Sequence, residues 1–139
     1  MFQGISYDYT GATVLITGGT SGIGLGCAHA YRDAGAEVIV TGRKTTASDY
    51  DTDLSNIVYR QVDVADRAAL YALAASLPKL DILVNNAGGM QGNEWEADAF
   101  DASLAVNLSS VFHLSSACKD LLAASAFPGG ASVIGIASM

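Results

Sequence analysis

The stretch TGGTSGIG, Thr17 to Gly24, decides how this chain is read: the apolar run Thr13 to Ile16 leads into it and the helix-patterned segment Ile23 to Ala34 leads out. Strand, glycine turn and helix in that order are what a dinucleotide-binding βαβ unit requires; the same glycines without those neighbours would mark an ordinary turn. Gly18 supplies the backbone angles of a tight turn, the missing side chain of Gly22 lets the main chain approach a pyrophosphate, and Gly24 lets the helix pack close to the strand. Free amides at the start of that helix attract an anion, by roughly 0.3–1 kcal/mol at an exposed site and up to about 2 when partly buried.

Beyond this unit the alternation continues. Glu37 to Thr41 reads as strand two, Ile57 to Val62 as strand three, Ile82 to Asn85 as strand four and Ala131 to Ala137 as strand five, all short and rich in Val and Ile. Helical patterns lie between them, Arg67 to Leu77 and a longer one from Phe100 to about Ala123, in which Leu104, Leu108, Val111, Phe112, Ser115 and Leu122 share a face. Such alternation predicts right-handed crossovers and one doubly wound α/β domain over residues 1–139, its parallel sheet ordered 3-2-1-4-5 with helices on both faces. Ligands bind such sheets beyond the carboxyl ends of the strands. The residues found there are Gly18 to Gly24, Gly42-Arg43-Lys44, Asp63-Val64, Asn86-Ala87-Gly88 and Ser138.

Composition narrows the partners. Of 139 residues half are hydrophobic and 15% charged, and a net charge of −7 with no basic cluster argues against nucleic acid and anionic membranes. The amino-terminal MFQGISYDYTG has neither a basic n-region nor an apolar h-region, and no apolar run approaches the roughly 18 residues of a membrane span, so the expectation is a cytoplasmic protein. Cys27 and Cys118 fall in helical patterns beside small apolar residues and read as structural thiols; His29 and His113 read as core or interface residues, and no metal signature is present.

Taken together, the glycine pattern TGxxxGIG at Thr17 to Gly24, the pair Asp63-Val64, the NNAG of Asn85 to Gly88, the "FD....VNL" pattern of Phe100 to Leu108 and GASVIGIAS at Gly130 to Ser138 make the chain resemble a short-chain dehydrogenase/reductase from Tyr9 to Met139. The resemblance implies an oxidoreductase that interconverts a carbonyl and an alcohol by hydride transfer. It implies a cofactor site formed by Gly18, Thr20, Ser21, Gly22, Ile23, Gly24 and Arg43, with Asp63 on the adenine amino group, Val64 giving the ring a backbone contact, and Asn86, Ala87 and Gly88 lining the ribose side. Asn85 and Asn86 read equally as a strand end that ties neighbouring backbones together. Asn107 would hold a water of the proton relay, and Ser138 would hydrogen-bond the reacting oxygen. Gly135 and Ala137 depart from the family's usual Asn and Ser.

The family's Tyr-x-x-x-Lys pair is absent: none of Tyr7, Tyr9, Tyr31, Tyr50, Tyr59 and Tyr71 has a lysine four residues on. Without it the chemistry lacks its proton donor. The expectation is therefore the front part of a longer enzyme, because a bare apolar sheet edge at strand five is an aggregation liability. The alternative is a catalytically inactive NADP(H)-binding sensor or structural subunit.

NAD-selective sites carry an acid after strand two, where this chain has Gly42 followed by Arg43 and Lys44, which favours NADP over NAD. The glycine loop, with Thr20 and Ser21, adds no basic residue. The helix Phe100 to Ala123 is apolar over more than one face, with Val106, Val111, Phe112, Leu114 and Ala117, and predicts a homodimer or homotetramer assembled through it. The loop Gly89 to Ala99 holds Met90 and Trp95, which either border the pocket or pack on the surface; the substrate itself is not legible.

Overall fold

Strand residues alternate between two faces, and here both faces are apolar because both are covered. The computed structural model describes residues 4–138; Met139, the last residue of the resemblance, lies outside them. Five parallel strands, β1 (Thr13–Ile16), β2 (Glu37–Gly42), β3 (Val58–Gln61), β4 (Ile82–Asn85) and β5 (Ser132–Gly135), form one sheet in the order β3-β2-β1-β4-β5. This is the predicted doubly wound arrangement. Val14, Ile16, Val38, Val40, Ile82 and Val84 pack with Ala28 of α1 (Gly22–Asp33) on one face. Leu15, Ile39 and Leu83 pack on the other with α2 (Arg67–Ser76) and α4 (Ser110–Ala123), through Leu70, Leu73, Leu114, Cys118 and Leu122. Each fully buried side chain of this kind contributes roughly 1.5–3 kcal/mol. Burial pushes the Cys118 thiol up to about 11, which makes it an inert packing residue.

Boundaries differ from the sequence reading by a residue or two. β2 runs on to Gly42, while β3 and β5 are shorter than expected because their ends join the ladder by single bonds, Val62 N to the Gly42 carbonyl and Ile136 N to the Asn85 carbonyl. Among the described residues β5 pairs with β4 alone, and its residues, Val133 and Ile134 included, are exposed.

The long helix is corrected in two respects. It starts at Ala97, and it is interrupted: α3 (Ala97–Leu104) passes through a π-helical turn, Ala105–Ser109, before α4. The buried face is also different. Ser103, Ser110, Leu114, Cys118 and Leu122 face inward, whereas Leu104, Leu108 and Phe112 are exposed, so of the expected stripe only Leu122 is fully in the core. Two of the inward positions, Ser103 and Ser110, are serines that the expected stripe left out. The Ser110 hydroxyl donates to the Val106 carbonyl at 2.6 Å and that of Ser103 to Glu94, so both can be buried without an unsatisfied group.

Candidate cofactor site

The ends of β1 and β4 are fastened by a small network. Thr17 Oγ1 accepts the amides of Asn86 and Ala87, both at 3.0 Å, and Asn86 Nδ2 donates to the carbonyls of Thr17 and Gly18 at 3.0 and 3.1 Å. The tying reading of Asn86 is thus a structural fact. Between these anchors the turn folds back sharply: Gly18 and Gly22 have φ of 63° and 56°, in the left-handed region that glycine alone enters freely. Gly22 faces open space, with nothing within 4 Å of where its Cβ would be. Gly24 makes room for Asn86 and the Gly18 carbonyl, where the sequence reading had it meeting the strand itself. α1 begins at this turn with Ser21 as N-cap and no side-chain hydrogen bond to the cap; α2, by contrast, is capped by Asp66. The first-turn amides of α1 therefore remain available to an anion.

Beside the turn lies a cavity of about 810 Å³, walled by the carboxyl ends of four strands. Of the residues singled out from sequence, Gly18, Thr20, Ser21, Ile23, Arg43, Asp63, Val64, Asn86, Ala87 and Gly88 line it. Gly22 and Gly24 shape the turn and do not form its wall. Asp63 Oδ1 accepts the Ala65 amide at 2.9 Å, which fixes the carboxylate at the rim. Arg43 is exposed, and among the described residues its guanidinium makes no ion pair, while the Lys44 ammonium is held by the Asp49 carbonyl at 2.7 Å. The cavity fits a dinucleotide: a glycine turn at its edge, an uncapped helix start, and an available cation at the end of β2.

Asn107 stands off this wall, in the π turn, where such turns often mark functional positions. Its Oδ1 accepts the Gly89 amide at 2.9 Å, and its Nδ2 donates to the carbonyls of Gly89 and Ser103 at 2.9 and 3.0 Å. Gly88 permits this, since a Cβ there would come within 2.7 Å of that Oδ1. The side chain locks the loop after β4 to the helix, a tie the sequence did not reveal. Ser138 follows β5 on the same sheet edge and is exposed. Met90 and Trp95 neither line the cofactor cavity nor pack down: they are 76% and 98% exposed, with Trp95 beside a second hollow bounded by Glu94 and Phe100.

His29 and His113 are half-buried, the first against the Asp53 carbonyl at 2.7 Å, the second near Tyr71. Among the described residues no group of three or more His, Cys, Asp or Glu could hold a metal ion, and no helix is long and apolar enough to cross a membrane. Tyr50 escaped the sequence reading, as did the individual roles of Thr17 and Gly19 within the glycine stretch. The adjacent glycines offered a signal for Gly19, whose Cβ would stand 2.7 Å from that of Val40; nothing local marked Tyr50, which lies in the loop sequence TTASDYDTD.

Comparison with known proteins agrees with this geometry. The profile of the short chain dehydrogenase family matches residues 12–139. The chain is 37% identical over 122 residues to 2-dehydro-3-deoxy-D-gluconate 5-dehydrogenase of Pseudoalteromonas atlantica, covering 78% of this chain and 48% of that one. It is 41% identical over 87 residues to the NADP-dependent 3-hydroxy acid dehydrogenase YdfG of Shigella flexneri, covering 58% and 35%. Among solved structures, the Pseudomonas aeruginosa RhlG/NADP active-site complex superposes with a TM-score of 0.79 at 28% identity, over 94% of this chain and 56% of that one. The chain thus spans about half the length or less of these relatives.

Proposed function

We propose, for a chain that belongs to the short-chain dehydrogenase family, that its protein is an NADP(H)-dependent oxidoreductase interconverting a small-molecule carbonyl and an alcohol. One observation carries the choice of cofactor: at the end of β2, where an acid would reject a 2′-phosphate, the chain has Gly42, and next to it the Arg43 guanidinium on the cavity wall without an ion-pair partner among the described residues. A guanidinium–phosphate hydrogen bond contributes roughly 1.5–3 kcal/mol. The names of YdfG and of the RhlG complex point the same way for those proteins.

In this reading the glycine turn and the start of α1 hold the pyrophosphate, Asp63 and Val64 the adenine, and Asn86 to Gly88 the ribose. The bound nicotinamide supplies or accepts the hydride. Ser138 donates a hydrogen bond to the reacting oxygen, and Asn107 keeps a water of the proton relay in place. Turnover also needs a proton donor outside these 139 residues, since no tyrosine within them has a lysine four residues on. The exposed apolar side chains Phe100, Leu108 and Phe112 are the proposed seam of a homodimer or homotetramer, in the cytoplasm.

Fluorescence titration of the complete protein with NADPH and NADH tests the cofactor. Arg43→Ala should weaken NADPH by about tenfold or more and leave NADH within about twofold. Equal losses for both would refute the assignment.

A further inference from the structure

The turn that follows β2 is fastened far more closely than a solvated loop requires. Gln61 Nε2 donates to the Arg43 carbonyl at 3.0 Å, the Lys44 amide donates to the Tyr50 hydroxyl at 3.1 Å, and the Tyr59 hydroxyl donates to the Lys44 carbonyl. The Lys44 ammonium lies 4.7 Å above the Tyr50 ring. The same segment also reaches the glycine turn, where Thr52 Oγ1 donates to the Thr20 carbonyl at 2.9 Å.

Tyr50 is the centre of this arrangement. It lines the cavity, and a Cβ built on Gly42 would overlap its hydroxyl, with its Cζ and the Thr20 methyl each 3.0 Å away. An acid at residue 42, the usual device against a 2′-phosphate, has no room while the phenol is in place. Nor can the phenol swing aside without releasing the Lys44 amide. Two effects of opposite chemistry, exclusion of a carboxylate and fixation of a cationic turn, thus meet in one side chain.

We propose that Tyr50 is a specificity-determining residue for the cofactor: its phenol keeps residue 42 free of a side chain and, through the Lys44 amide, fixes the turn from which Arg43 reaches the 2′-phosphate. This rests on the NADP(H) reading of the pocket given above. A tyrosine that only filled space would support both cofactors alike, because the adenosine and pyrophosphate are common to them.

The experiment is a titration of the complete protein with NADPH and NADH, following nicotinamide fluorescence, for wild type, Tyr50→Phe, Tyr50→Ala, Gly42→Asp and Gly42→Asp/Tyr50→Ala. Tyr50→Phe keeps the ring and loses one hydrogen bond to the turn, so NADPH affinity should fall about 3–10-fold and NADH less than about twofold. Gly42→Asp alone should gain NADH affinity by no more than about twofold, and the double variant by about tenfold over that single, a non-additivity the cycle reads directly. Equal effects of Tyr50→Phe on both cofactors, or a full NADH gain from Gly42→Asp with Tyr50 still present, would overturn the proposal. Arg43→Ala measured alongside separates the two levels. A selective loss of NADPH there, with an unselective Tyr50→Phe, overturns this inference alone, whereas an unselective loss at Arg43 overturns the NADP(H) reading and this inference with it.

Discussion

Gly24 and Gly26 lie on the same helix, two residues apart, and a methyl group added to each should act in opposite directions. Helix propensity favours alanine at both by about 1 kcal/mol. At Gly26 nothing lies within 4 Å of the new Cβ, so that gain stands and Gly26→Ala should stabilise by about 0.5–1 kcal/mol. At Gly24 the Cβ would overlap Asn86 Nδ2 and stand 2.5 Å from the Gly18 carbonyl, a backbone atom that cannot rotate away. Relief requires Asn86 to leave its bonds to Thr17 and Gly18. Overpacking costs about 1–3 kcal/mol and the two hydrogen bonds about 1 kcal/mol each, so after the helix gain Gly24→Ala should destabilise by about 2–4 kcal/mol. Urea denaturation of both variants gives the two values on one scale. Gly24→Ala at or above wild-type stability would show that Asn86 does not fasten the turn, and a destabilised Gly26→Ala would show that the space beside it is occupied in solution.

Other residues give sharp tests. Asp81, 2% exposed, accepts the Thr13 amide at 2.8 Å and the Ser125 hydroxyl and pairs with Lys79 at 3.1 Å, so Asp81→Ala should cost about 2–4 kcal/mol in urea denaturation. Burial works to raise its pKa, but the Ser125 and Thr13 hydrogen bonds and the Lys79 charge outweigh it and hold the value below the ordinary one. A folded pKa below the unfolded value means that this stability is present above about pH 4 and is lost as pH falls further, a slope that pH-dependent denaturation should show and Asp81→Ala should flatten. Ser138→Ala in the complete protein should cut turnover by roughly 10²–10³ with NADPH affinity unchanged, and an unaltered kcat with hydride transfer rate-limiting would remove the serine from the site. Phe112→Glu, at a position 65% exposed on α4, should shift light scattering of the complete protein toward monomer; a wild type already monomeric would dispose of the proposed seam.

What could be read from the sequence was local or periodic. The strands announced themselves by Val and Ile runs, the order of the sheet by their alternation with helical segments, and the glycine turn by residues that enter φ near +60° freely. Where a contact spans the chain its partner stayed illegible, even for Asn86, which the sequence marked as a tie. Asn86 reaches back to Gly18 across 68 positions and Asp81 to Thr13 across the same separation, and no pattern near either residue specifies its partner. The buried face of α4 differs for another reason: its inward set includes Ser110, which the expected stripe left out and whose hydroxyl returns to its own helix, so that it behaves as a small core residue.

That failure bears on how the site is built. The residues that would touch cofactor are mostly those the motifs display, on short turns at the strand ends, and each such turn has few bonds of its own. Their positions are set by ties that no motif displays: Thr17 for the loop after β4, Asn86 for the glycine turn, Tyr50 and Tyr59 for the turn after β2, Asn107 for Gly89. Each of these ties a backbone N–H or C=O, and backbone groups are present whatever the residue type, so the tie leaves no mark on the segment it holds. Cofactor preference in this pocket should therefore respond to changes at Tyr50 and Tyr59 as well as at Arg43, the residue that carries the charge.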